Sequence, residues 1–111
     1  MNKLEAKRQS LLEQMGGIDT MHRGRLSEEY RERQQNGETI RLGPYYKYQE
    51  WNDGRNKSRR IKAEEVEALR EGIEGMDKFK ALAADYIDTT VALTEQRHEE
   101  EAADDAKKNS G

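Results

Sequence analysis

The sequence predicts an α+β protein: an N-terminal helix, a small antiparallel sheet of two or three strands carrying an Asp-Gly hairpin, and a long C-terminal helix. Three observations carry this reading. Leu4, Leu11, Leu12, Met15 and Ile18 recur at the spacing of one helical stripe. Residues 43–62 place strand formers on both sides of Asn52-Asp53-Gly54-Arg55. From Ala63 onward there is no proline, and apolar residues step by three or four.

The first helix is expected from about Asn2 to Met15, because this stretch is built of good helix formers. Each glycine of Gly16-Gly17 costs about 1 kcal/mol inside a helix, which puts the boundary at that pair. The next stretch, Thr20 to Gln35, reads two ways. Leu26, Tyr30 and Arg33 fit a helical stripe, whereas Leu26, Glu28, Tyr30 and Glu32 fit one face of a strand; propensity alone favours helix.

Gly43-Pro44 punctuates the chain before the hairpin. With Asp53-Gly54 as a two-residue type I′ turn, Asn52 faces Arg55 and the register follows by counting outward, through Tyr48 opposite Arg59 and Tyr46 opposite Ile61 to Tyr45 opposite Lys62. One face then carries Tyr46 on Ile61, Tyr48 under Arg59, and Glu50 beside Lys57, and can cover a core. The other presents Tyr45, Lys47, Trp51, Arg60 and Lys62, with Gln49 and Ser58 between them, and is read as outward-facing.

The long helix is expected from Ala63 to about Ala106, opened by Glu64, Glu65 and Glu67 at the positive end of its dipole. Val66, Leu69, Ile73, Met76, Phe79, Ala83, Tyr86, Thr90 and Leu93 form its stripe, broadened by Leu82, Ile87 and Val91. Gly72 and Gly75 mark a kink or a close helix contact. The stripe from Val66 to Leu93 runs about 41 Å, against about 21 Å for Leu4 to Ile18. The first helix therefore cannot cover it alone, and the hairpin, a partner chain or both must cover the rest. Residues 1–95 are read as a single elongated domain, and residues 96–111 as a frayed or disordered acidic and polar tail.

Of the 111 residues, Leu, Ile, Val and Phe number only 16. That is below the level typical of a compact core, so a thin core is expected. The formal net charge of -3 hides a segregation. Residues 1–36 hold seven basic and six acidic side chains, residues 37–62 seven and three, and residues 63–111 six and fourteen. Charge separated in this way is a partner signal. The chain has no cysteine, which excludes disulfides and thiolate sites and fits a reducing cytosol. No apolar run reaches transmembrane length and MNKLEAKRQS lacks a signal-peptide core, so a cytoplasmic protein with no membrane partner is expected.

The chemistry-bearing residues are few. His22 and His98 are the only histidines, each without a second imidazole nearby. His98-Glu99-Glu100-Glu101 reads as a solvated helix face in preference to a loose divalent site, so neither metal nor cofactor is expected. There is no phosphate-cradling loop, no serine elbow and no carboxylate pair in an apolar setting, which argues against an enzyme.

The residues HRGRLSEEYRER, GPYYKYQEWNDGRNKSRRI and AEEVEALREGIEGMDKFKAL, from about Leu11 to Leu93, together resemble an uncharacterised family of small bacterial and archaeal proteins found in mobile-element and transposase-like contexts. Its most specific parts here are Arg23-Gly24 with Leu26 and Tyr30, the Gly43-Pro44-Tyr45-Tyr46 run, and Arg70-Glu71-Gly72-Ile73-Glu74 followed by Phe79. The resemblance implies a strand at Arg25–Arg33 leading into a cysteine knuckle. Here that knuckle region is RQQNGETIRL, without cysteine. It loses the family's metal-binding capacity and becomes a loop held by its backbone turn. The resemblance also implies an association with DNA mobility.

Taken together, a non-enzymatic accessory protein that binds DNA or RNA is the leading expectation. Lys47, Arg55, Arg59, Arg60 and Lys62 would contact phosphates, while Tyr45 and Trp51 stack on bases. The bland reading of the same face is a charged edge that discourages aggregation, with the rings packed on a helix. A competing functional reading is a protein-interaction or homodimerisation module acting through residues 66–93 of the acidic helix.

Overall fold

The computed structural model describes residues 2–109 and the side chains of residues 2–106. The order of elements is α1 (Lys3–Gly16), β1 (Arg25–Gln35), β2 (Glu38–Asn52), β3 (Arg55–Ile61) and α2 (Ala63–Asn109). This is the expected α+β architecture, with the segment after Gly24 resolved as strand. The chain divides into two compact units, Met1–Asp19 with Lys78–Gly111, and Thr20–Asp77. Of the tail expected to fray at 96–111, residues 96–109 lie within α2, and Ser110 and Gly111 fall outside the described residues.

In the first unit, α1 begins where Asn2 caps it. The Asn2 side-chain oxygen accepts from the Glu5 amide at 2.8 Å, satisfying one of the donors a helix start leaves open. The helix ends at the glycine pair, where the Gly17 amide donates to Glu13 O at 3.1 Å. Leu11 of α1 and Thr89 and Leu93 of α2 are its buried side chains. Thr90 and Thr94 lie in helix interior, and their hydroxyls donate back to Tyr86 O at 2.7 Å and Thr90 O at 2.8 Å.

The second unit is a three-stranded antiparallel sheet, ordered β1-β2-β3, with the first turns of α2. The β2–β3 register runs from Asn52 opposite Arg55 to Tyr46 opposite Ile61, as counting from the turn requires. Asp53 at φ +52° and Gly54 at φ +74° make the turn type I′. Because β3 stops at Ile61, the expected Tyr45–Lys62 pair does not form.

The region read as a loop is a second hairpin. Asn36 and Gly37, at φ +52° and +74°, repeat the type I′ geometry, and β1 pairs with β2 from Gln35 opposite Glu38 onward. The twist of a type I′ turn matches that of the strands it joins, so Asn-Gly closes the hairpin with its backbone alone. The register shifts between Glu29 and Arg31. There Tyr30 stands opposite both Gly43, at φ +131°, and Pro44, joined to it by a cis peptide bond, so β2 accommodates one extra residue as a bulge.

The core of this unit is Tyr48, Ile61, Val66 and Leu69, with Leu26, Tyr46 and Ile73 packed against it. It is thin, as the composition implies: no described side chain in the chain reaches full burial. The covered sheet face is the even-numbered face of β2, as expected, and each large apolar side chain buried there contributes about 1.5–3 kcal/mol. The stripe of α2 that α1 is too short to cover therefore finds its first partner in the sheet, through Val66, Leu69 and Ile73. The close contact at Gly72 is with the coil before β1 and not with a helix: the His22 amide donates to Gly72 O at 2.9 Å, and the His22 ring lies where a side chain at position 72 would begin.

Candidate nucleic-acid interface

Alternation along β2 puts Tyr45, Lys47, Gln49 and Trp51 on one face, opposite the core side chains Tyr46 and Tyr48. Register adds Arg60, the partner of Lys47, and Ser58, the partner of Gln49, from β3. The Tyr45 ring is the centre of this face. The Arg60 guanidinium carbon lies 4.8 Å from its centroid and that of Arg31, on β1, lies 5.2 Å away. Two cations thus flank one aromatic quadrupole, each contact contributing about 0.5–1 kcal/mol where solvent reaches it. A depression of about 240 Å³ opens around them, lined by Glu29, Arg31, Tyr45, Tyr46, Lys47, Ser58, Arg59 and Arg60.

Trp51, two residues beyond Gln49 on the same strand, is 70% exposed. An indole left this open is unusual, because its large apolar surface ordinarily pays for burial. The bland reading, in which Tyr45 and Trp51 both pack on a helix, therefore fails for Trp51.

The structure does not gather all seven expected residues on one surface. Tyr45, Lys47, Trp51 and Arg60 share the face. Arg59 belongs to the core side: its guanidinium sits 5.6 Å from the Tyr48 ring and 3.3 Å from a Glu65 carboxylate oxygen. Arg55 stands at the turn opposite Asn52, and Lys62 follows the end of β3. Both are exposed at the margins of the face.

Arg31 is the participant that sequence reasoning missed. Asn36-Gly37 was the available signal, since counting outward from it as a type I′ turn puts Arg33 opposite Ile40 and Arg31 opposite Leu42. Bringing Arg31 to Tyr45 then takes the bulge as well. A related pair lies on the β1–β2 hairpin, where the Arg41 guanidinium is 3.8 Å from the Tyr30 ring. The Tyr30 hydroxyl donates to Glu28 at 2.9 Å, and that bond raises its pKa above the ordinary phenol range, against the opposing pull of Arg41.

Elsewhere, α2 exposes Ile87 and Val91. His98 Nδ1 lies 3.8 Å from a Glu101 carboxylate oxygen, and among the described residues no group of three or more His, Cys, Asp or Glu is placed to hold a metal ion. No described helix is long and apolar enough to cross a membrane. No family model, curated protein or solved structure matches the chain.

Proposed function

We propose that this protein binds single-stranded nucleic acid through the outer face of its sheet, as a non-enzymatic accessory module linked to a mobile element. The observation that supports the binding reading is Tyr45 held between Arg31 and Arg60 beside Lys47, with exposed Trp51 further along the same strand. Guanidinium and ammonium groups neutralise phosphates and release counterions, while the open Trp51 indole stacks only on bases that are themselves unstacked. Such binding is charge-led and nearly indifferent to sequence. The mobile-element link rests on the likeness of the Arg23–Tyr30, Gly43–Tyr46 and Arg70–Phe79 segments to that family.

The test is affinity for unstructured single strands across a salt series. Replacing Lys47 and Arg60 together with Ala removes two phosphate contacts, and the slope of log affinity against log salt should become shallower by about 1.4. An unchanged affinity and slope would overturn the assignment.

A further inference from the structure

Where the β1–β2 ladder ends, at Arg25 opposite Gln49, β2 runs on without a β1 partner. A cleft of about 650 Å³ opens at that end, between the sheet and the first turns of α2. Leu26 and Ile73 give it apolar surface, Trp51 an indole, Arg25 a cation, and Glu74 and Asp77 two carboxylates. The two acids are three residues apart on α2 and so lie on the same side of the helix. Arg70 also lines the cleft, but its guanidinium is engaged by Glu67 at 2.7 Å.

We infer that this cleft takes one unstacked guanine base, which gives the nucleic-acid reading of the sheet face a base preference. The inference rests on that reading for the strand that delivers the base. The chemistry selects guanine because its Watson–Crick edge presents two parallel donors, N1–H and the N2 amino group, and one ionised carboxylate accepts both. Adenine and cytosine offer a carboxylate a single amino group at that edge, and thymine and uracil offer one ring N–H between two carbonyls. Trp51 supplies a stacking face, Arg25 a partner for the attached phosphate, and Leu26 and Ile73 a surface from which water is displaced. Trp51 also belongs to the Tyr45–Lys47 row, about 20 Å along β2 from Tyr45, so one strand of a few nucleotides reaches both.

Trp51 is the only tryptophan, so the protein's indole fluorescence reports this cleft directly. The experiment compares an all-thymine oligonucleotide with the same oligonucleotide carrying one central guanine, following both end-label anisotropy and Trp51 emission with the intact chain. The guanine is expected to tighten binding about tenfold and to quench Trp51. The variant Glu74→Gln/Asp77→Asn is expected to bring the two oligonucleotides to the same affinity. Equal wild-type affinities, or a guanine preference that survives the double substitution, overturns the cleft and leaves the sheet-face reading standing. If neither oligonucleotide binds, the sheet-face reading fails, and titration with guanosine and uridine monophosphates decides the cleft alone. Quenching by the guanosine nucleotide only supports it; equal or absent quenching overturns it.

Discussion

Replacing Gly72 with Ala should destabilise this protein, against the usual expectation for a glycine inside a helix. In an open helix the change is worth about 1 kcal/mol in the helix's favour. Here the new methyl would overlap His22 Cδ2 and stand 2.7 Å from its Cγ and 3.0 Å from its Cβ. Swinging the imidazole away relieves the first two contacts but not the third. The His22 backbone cannot retreat freely either, because its amide donates to Gly72 O at 2.9 Å. Overpacking of this kind costs about 1–3 kcal/mol, and loss of the hydrogen bond adds about 1 kcal/mol. After the helix-propensity gain, a net loss of about 1–3 kcal/mol is expected, read as a lower urea midpoint with unchanged slope. Combining Gly72→Ala with His22→Ala removes the ring and should recover at least half of that loss, giving a favourable coupling in the double-mutant cycle. A Gly72→Ala protein as stable as the parent would refute the reasoning, since it would mean that the His22 segment is not held against α2.

Two further outcomes follow from the second unit. Burial raises the Tyr48 pKa above the ordinary phenol value, with Glu50 adding to the shift and Arg59 opposing it. The folded state therefore holds the phenol proton more tightly than the unfolded chain. The stability this represents is fully present below about pH 10 and is lost as pH rises from there through the folded-state value. Tyr48→Phe should flatten that alkaline decline while costing about 1 kcal/mol near neutrality, where the hydroxyl donates to Arg23 O; denaturation midpoints at neutral and alkaline pH measure both. Gly54→Ala meets no atom within 4 Å of the new Cβ, but Gly54 sits at φ +74°. A penalty of about 1–2 kcal/mol is expected from left-handed backbone strain alone, measured by the same denaturation, and a neutral result would contradict the type I′ turn.

How much of this was legible depended on the range of each signal. Asp53-Gly54 fixed the β2–β3 pairing because a two-residue turn leaves one register, so Tyr46 on Ile61 and Tyr48 beneath Arg59 followed by counting. Asn36-Gly37 carries the same information, and reading it as part of a loop hides both the length of β2 and the place of Arg31. The bulge at Gly43-Pro44 was beyond counting, since a shift of one residue inside a strand reverses which side chains share a face. Arg59 shows the converse limit. Its pairing with Tyr48 was readable, but its 3.3 Å contact with Glu65 depends on how α2 leaves the sheet.

The sequence by itself determined both helices, the β2–β3 hairpin and their local geometry: the stripes of both helices, the glycine stop after α1, the Asp53-Gly54 register and the separation of acidic from basic segments. These are short-range properties, set by backbone sterics, side-chain periodicity and hydrogen bonds between near neighbours. Only the tertiary structure decided that Arg31 and Arg60 flank Tyr45 from different strands, that Trp51 stays open beside Glu74 and Asp77, and that Gly72 receives His22. Each of these joins residues from about fourteen to fifty positions apart. Their distance is set by a bulge, a strand end or a helix path, none of which any single segment encodes.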